Sequence, residues 1–248
     1  MRWMLPLAAA LALVPSALRG QTLAGRVQAA GESTVRLSFA SRPGVCGTGT
    51  SITIDDGDDS DWESDCERGP VRVSLRMLGG RVAEAEARVG GRWRSGRAGV
   101  TDLGLVPARE AADLMLALAR RAGEDGGELI TAATLADSAV VWPELLRLAR
   151  ERELPMDTRR QAVFWLGQAA GDAATRGLDS IAVDDRGDLE VREHAVFALS
   201  QRPAGEGVPA LIRIARRNPN PELRRKALFW LGQSDDPRAL ALFEELLQ

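Results

Sequence analysis

The first part of the chain alternates apolar and polar residues with a period of two. In STVRLSF the alternation puts Val35, Leu37 and Phe39 on one face of a strand, and three later stretches repeat the pattern. Their inward-facing residues are expected to be Ile52, Ile54, Val71, Val73, Leu75, Met77, Ala83, Ala85, Ala87 and Val89. Such strands, with one apolar and one polar face, are typical of an antiparallel sheet covering a core on one side.

The last two of these stretches, VRVSLRML and RVAEAEARV, are separated by Gly79-Gly80, which predicts a tight hairpin. RVAEAEARV could instead form a short helix, but the glycine pairs on both sides of it favour a strand. We therefore interpret residues 21–98 as a small antiparallel β domain.

From Pro107 onward the apolar residues follow a helical spacing. Residues 108–121 form the pattern of an amphipathic helix, and the helical spacing then continues to the end of the chain. We assign residues 99–126 to a linker and a capping helix, and residues 127–248 to the helical part.

The helical part is repetitive. RQAVFWLGQ begins at Arg160, and RKALFWLGQ begins at Arg225. When Ala162, Ala195 and Ala227 are aligned, at spacings of 33 and 32 residues, other positions fall into register. They are Phe164, Phe197 and Phe229; Gln168, Gln201 and Gln233; the acids Asp157, Glu190 and Glu222; and the arginines Arg159, Arg192 and Arg224. The in-register arginines are expected to form a ladder that bonds neighbouring carbonyls or acids.

A period of this length indicates helical hairpins whose apolar faces are buried only when neighbouring hairpins stack. We expect four units, at about 127–151, 157–183, 188–216 and 220–248, with the helix at 108–121 over the first open end. The predicted fold is multidomain α and β, a small antiparallel β domain followed by an all-α superhelical solenoid.

The units resemble short bacterial HEAT repeats, including those of bilin lyases. The resemblance is carried by the starts RRQA, REHA and RRKA, the ends LGQ and LSQ, and the final segment DPRALALFEELL. It covers about half the chain, and the β region resembles no family that we recognise. It implies an α-solenoid that acts as a binding scaffold, without shared catalytic residues.

The chain begins with the layout of a secretory signal peptide. Arg2 precedes an apolar run, Met4 to Val14, that is broken by Pro15-Ser16, so residues 1–20 are expected to be removed on export. In an oxidising compartment the two cysteines, Cys46 and Cys66, are expected to form a disulfide. The alternatives are a thiolate nucleophile or a metal site, and neither has a histidine nearby.

Trp165 and Trp230 occupy equivalent positions two units apart, with Ala198 between them. One hypothesis is that they are a pair of aromatic anchors for an extended partner, since tryptophan is favoured at binding hot spots. The alternative is that both indoles pack between units. Exposure of both indoles would favour anchoring, and their burial would exclude it.

The run DDGDDSDWESDCE, from residue 55 to residue 67, offers oxygen ligands at the spacing of a calcium loop. The candidate calcium ligands are Asp56, Asp58, Ser60, Ser64 and Glu67. Asp61 stands where a calcium loop requires glycine, and no helices flank the run, so a solvated loop between strands is the alternative.

Composition narrows the function. The net charge of -3 favours no nucleic-acid partner, and a single histidine, His194, argues against metal sites and acid–base catalysis. We expect an exported, periplasmic or secreted, non-enzymatic scaffold or adaptor that binds a protein through a groove of the repeats, without a cofactor or a transmembrane segment. The alternatives are a hydrolytic or metal-dependent activity in the β domain, and a structural component of an envelope assembly.

Overall fold

The computed structural model describes residues 21–49, 51–54, 66–95, 97–169 and 171–247. The strands are β1 (Thr34–Phe39), β2 (Val45–Thr48), β3 (Ser51–Ile54), β4 (Val71–Leu78), β5 (Arg81–Val89) and β6 (Val100–Leu105). The helices are α1 (Leu23–Ala29), α2 (Ala108–Ala119), α3 (Gly126–Thr134), α4 (Trp142–Arg150), α5 (Met156–Gln168), α6 (Asp172–Ala182), α7 (Leu189–Ser200), α8 (Val208–Arg217), α9 (Pro221–Gly232) and α10 (Pro237–Leu246). The expected signal peptide lies outside the described residues.

The main sheet has the strand order β5-β4-β1-β6, and β2 pairs with β3 in a separate antiparallel ribbon. Strands β1, β4 and β5 pair antiparallel, as predicted, whereas β6 pairs parallel with β1. Residues 100–105 were expected to belong to a linker. They form an edge strand with an irregular register, since Gly104 adopts a positive φ of 72°. Helix α1 was not expected either, because the whole region was interpreted as β.

The hairpin between β4 and β5 turns at Gly79-Gly80, where both residues have positive φ and Leu78 pairs with Arg81. A bulge follows at once, because Met77 pairs with Val82 and Arg76 pairs with Glu84. This bulge corrects the predicted inner face of β5. Val82 is buried, and Ala83, which the alternation placed inside, lies in the bulge and is only half-buried.

The sheet and the helices share one core. The buried side chains of β1, β4 and β5 belong to the same apolar cluster as those of α2 and α3. Backbone hydrogen bonds join the segment after β1 to the end of α3. Arg42 N donates to Leu135 O at 2.8 Å, and Asp137 N donates to Ala40 O at 2.9 Å. The Glu128 carboxylate of α3 accepts from Ala87 N of β5 at 2.9 Å. The sheet is therefore fixed to the first helical unit.

Helices α3 to α10 are eight successive helices that form the predicted helical stack. The first helices of the units, α3, α5, α7 and α9, pack on one another in order, and each second helix packs against the first helix of the next unit. Pro209 lies in the first turn of α8 and Pro237 begins α10, where a missing N–H costs little. No helix among the described residues is long and apolar enough to cross a bilayer.

Candidate functional site

The in-register arginines hold the units together. Arg159 of α5 donates through Nε to Ala149 O at the end of α4, at 3.2 Å, and Arg192 of α7 makes the same bond to Ala182 O at the end of α6. Arg224 of α9 donates through Nη1 to Asn218 O at 2.7 Å. Each side chain therefore satisfies carbonyls left free at the end of the preceding second helix.

Ion pairs link neighbouring first helices. Arg160 of α5 binds Asp157 on its own helix and Glu190 on α7, and Lys226 of α9 binds Glu193 of α7 at 2.7 Å. The hydrogen bond that Arg160 donates to the Asp157 carboxylate raises the pKa of Arg160. These charges are matched across neighbouring helices, so this surface does not select a ligand by net charge alone.

Trp165 is buried between units and Trp230 is half-buried, so the structure does not show the two indoles as a pair of exposed anchors. Trp165 is 7% exposed and donates through Nε1 to Thr131 Oγ1 of the preceding unit at 3.1 Å. Trp230 is half-buried and packs on Phe197 of the preceding unit. Adjacent residues on a helix point about 100° apart, so burying the indoles turns their neighbouring phenylalanines outward.

Those phenylalanines define what we call the first-helix face, together with the in-register glutamines Gln168, Gln201 and Gln233. Phe164 is 43% exposed and Phe229 is 57% exposed, and Phe197 lies half-buried between them. The sequence analysis placed these rings in register but did not select them, because the pattern alone does not tell which of Phe164 and Trp165 points outward.

A pocket opens on this face between α5 and α7. Its volume is about 470 Å³, and Phe164, Phe197 and Ala198 supply its apolar lining. Gln161, His194, Gln168 and Gln201 surround these groups. His194 lies at the rim of this pocket, where its Nδ1 is 3.0 Å from Glu190 O. A second pocket, of about 430 Å³, lies beside Trp142 and the accessible edge of Trp165.

A family model of HEAT repeats matches residues 180–248. These residues are HEAT repeats. The match begins near the end of α6 and covers α7 to α10, so it includes the third and fourth units and two of the three phenylalanines. The stack of helices extends back beyond the matched residues to α3, because α3 packs on α5 as α5 packs on α7. The sheet region has no family match, and no curated protein is significantly similar to the chain.

The cysteines form a disulfide, Cys46–Cys66, which ties β2 to the segment leading into β4. Next to it, Gly47 and Glu67 exchange two backbone hydrogen bonds of 3.0 and 2.9 Å. Of the calcium candidates, Asp56, Asp58, Ser60 and Ser64 lie outside the described residues, and the Glu67 side chain is exposed. Within the described part of the chain, no group of three or more acids, histidines or cysteines is arranged to hold a metal ion.

Sequence analysis did not single out Arg202, which the structure places deep in the HEAT stack. Its side chain is 1% exposed, pairs with Glu206 at 2.6 Å and donates through Nη1 to Gly167 O at 2.8 Å. It also donates to Gly171 O, so it joins the end of α5 to the start of α6. Arg202 is not one of the arginines that recur in each unit, so the repeat pattern did not indicate a role for it.

Proposed function

We propose that this protein is a protein-binding scaffold and that the first-helix face is its binding surface. The main observation in support is that Phe164 and Phe229, at equivalent positions two units apart in the stack, are 43% and 57% exposed. Single exposed apolar residues are ordinary on a protein surface, whereas aromatic rings repeated in register on one face are more typical of an interaction surface. HEAT repeats are commonly protein-interaction modules, which supports this assignment.

The chemistry of the first-helix face suits an extended segment of another protein. Aromatic rings supply apolar contact area, and the glutamines on either side of them both donate and accept hydrogen bonds. The helices that carry these groups are fixed by the arginine ladder, so little ordering is required of the scaffold on binding.

We also propose that the scaffold acts in the cell envelope or outside the cell and that it catalyses no reaction. The signal-peptide pattern of residues 1–20 and the Cys46–Cys66 disulfide both support export, since disulfides persist in oxidising compartments. The absence of a catalytic constellation in the sequence supports a binding role.

Affinity capture from the envelope fraction of the source cells tests the proposal. The first bait is the protein without residues 1–20, and the second carries Phe164→Gln and Phe229→Gln. We expect the first bait to retain a protein that the second loses, because the substitution removes both exposed rings while leaving the buried residues unchanged.

The matched control carries Leu105→Gln and Leu240→Gln, which remove two apolar side chains that are 76% and 62% exposed on other elements. We expect this control to retain the same protein as the unaltered bait. Equal capture by the phenylalanine variant, with all three baits folded by circular dichroism, would show that the first-helix face is not the binding surface.

A further inference from the structure

One position of the HEAT stack alternates between a large and a small side chain. It is Ala132 in the first unit, Trp165 in the second, Ala198 in the third and Trp230 in the fourth. Both indoles contact the residue at the phenylalanine position of the preceding unit. Trp230 packs on Phe197 with ring centroids 5.0 Å apart, and Trp165 bonds to Thr131, which stands at that position in the first unit.

The third unit lacks this contact. Ala198 stands where an indole would cover Phe164, so this ring stays 43% exposed, whereas Phe197 is half-buried. Helices α5 and α7 also come close together at this point. A Cβ built on Gly167 would lie only 3.1 Å from Ala198 Cβ. The pocket between α5 and α7 therefore lies where the third unit has an alanine in place of the tryptophan of the second and fourth units.

The lining of this pocket matches a neutral aromatic group. Phe164, Phe197 and Ala198 are apolar, and glutamine side chains at the rim provide donors and acceptors for an indole N–H or for a peptide backbone. The charged groups at its edge, Arg160 and Asp157, are paired with each other. A volume of about 470 Å³ falls within the range of pockets that hold small ligands.

We propose that this pocket receives an aromatic side chain, tryptophan above all, from an extended segment of the protein that the first-helix face binds. The chain itself shows the fit, since Trp230 occupies the equivalent place one unit later and packs on Phe197. This inference rests on the proposed function for its partner. The pocket's preference for an indole can be measured without that partner.

The probe is N-acetyltryptophanamide, titrated into the ¹⁵N-labelled protein without residues 1–20 and followed by NMR. We expect shifts confined to the amides around Gly167, Ala198 and Gln201, with a dissociation constant on the order of a millimolar for so small a ligand. N-acetylglycinamide, which lacks the ring, should leave these amides unchanged. Shifts that are absent, scattered, or equal for both amides would overturn the proposal.

The variant that tests the site is Ala198→Trp, which inserts the residue found in the second and fourth units. We expect it to fill the pocket and to weaken probe binding at least tenfold. The matched control is Val183→Trp, which adds an indole at an exposed position outside the pocket and should leave probe binding unchanged. If Ala198→Trp does not fold, Ala198→Leu, a smaller filler, takes its place with the same expectation.

Partner capture separates failure of the pocket from failure of the scaffold. Loss of the partner with both Ala198→Trp and the phenylalanine variant supports both proposals. A partner that Ala198→Trp retains, but the phenylalanine variant loses, leaves the scaffold standing and overturns the pocket as its anchor. If sedimentation shows that the protein dimerises and that Ala198→Trp is monomeric, the occupant is a second copy, which overturns the assignment to another protein.

Discussion

The ring of Phe197 packs on the indole of Trp230 with centroids 5.0 Å apart and planes inclined by 50°. The contact joins the third HEAT unit to the fourth. The indole also meets the ring of Phe229, its neighbour in sequence, edge to face at 4.9 Å. Trp230 therefore links the first-helix face to the interior of the stack.

Replacing Trp230 by alanine should open a new pocket between α7 and α9, equivalent to the one between α5 and α7, and weaken the packing of the last unit. We expect a loss of about 2–3 kcal/mol in the free energy of unfolding, below the full cost for a buried tryptophan because this ring is half-buried. Urea denaturation measures the change. Leu240→Ala, at a position 62% exposed, is the control and should cost under about 1 kcal/mol. Equal losses for the two variants would contradict the packing role.

The contribution of a buried charge to stability can be measured at Arg202. Arg202→Ala leaves Glu206 without its charged partner and leaves the carbonyl of Gly167 without the hydrogen bond from Arg202, so we expect a loss of about 3 kcal/mol or more in the free energy of unfolding. Arg225, which pairs with Glu222 at 3.3 Å, is 75% exposed, and Arg225→Ala should cost under about 1 kcal/mol. Similar urea midpoints for the two variants would refute this difference.

The disulfide should stabilise the sheet region by restricting the unfolded chain. Cys46 and Cys66 are separated by 20 residues, for which the loop-entropy model gives about 3 kcal/mol. We expect the Cys46→Ser, Cys66→Ser double variant to lose about this amount in urea denaturation. A reducing agent should lower the stability of the unaltered protein to that of the variant and leave the variant itself unaffected. A reducing agent without effect on the unaltered protein would mean that the bond is absent.

Asp236 caps the N-terminus of α10, and its carboxylate should make the stability of the last unit depend on pH. The hydrogen bond from Arg238 lowers the pKa of Asp236 from 3.8 to about 2. Because the folded state holds this proton more weakly than the unfolded state, the stabilisation is complete above the unfolded pKa and disappears as the pH falls from about 4 to about 2. We expect the melting temperature of Asp236→Asn to fall less than that of the unaltered protein over this interval.

Asp235→Asn is the control for that experiment, since it removes the neighbouring carboxylate and keeps the bond between Asp236 and Arg238. Its melting temperature should follow the unaltered protein through the same interval. If Asp236→Asn follows it as well, the ion pair does not contribute to the acid dependence.

The HEAT stack was predictable from the sequence because each unit repeats the same buried positions. Ala162, Ala195 and Ala227 are all fully buried, and the phase of the repeat follows from them. The exposed face was not predictable to the same degree. Phe164 and Trp165 are both large and apolar, and the contact that buries the indole lies on Thr131, about one full unit away in sequence.

The sheet region was less predictable because two of its elements have weak local patterns. Strand β6 carries Asp102 and Gly104, which interrupt the alternation, and it pairs with β1, more than 60 residues earlier in the sequence. Helix α1 is 7 residues long, too short for a periodic pattern to be distinguished from that of a strand.

The backbone joint between Arg42 and Leu135 has a mechanical consequence. It makes the stack a beam that is held at one end, with the sheet as its support. Bending of such a beam accumulates from unit to unit, so thermal motion displaces α9 and α10 more than α3. The pocket between α5 and α7 lies midway along the beam, so bending displaces it less than α9 and α10 while changing the spacing of the two helices that line it.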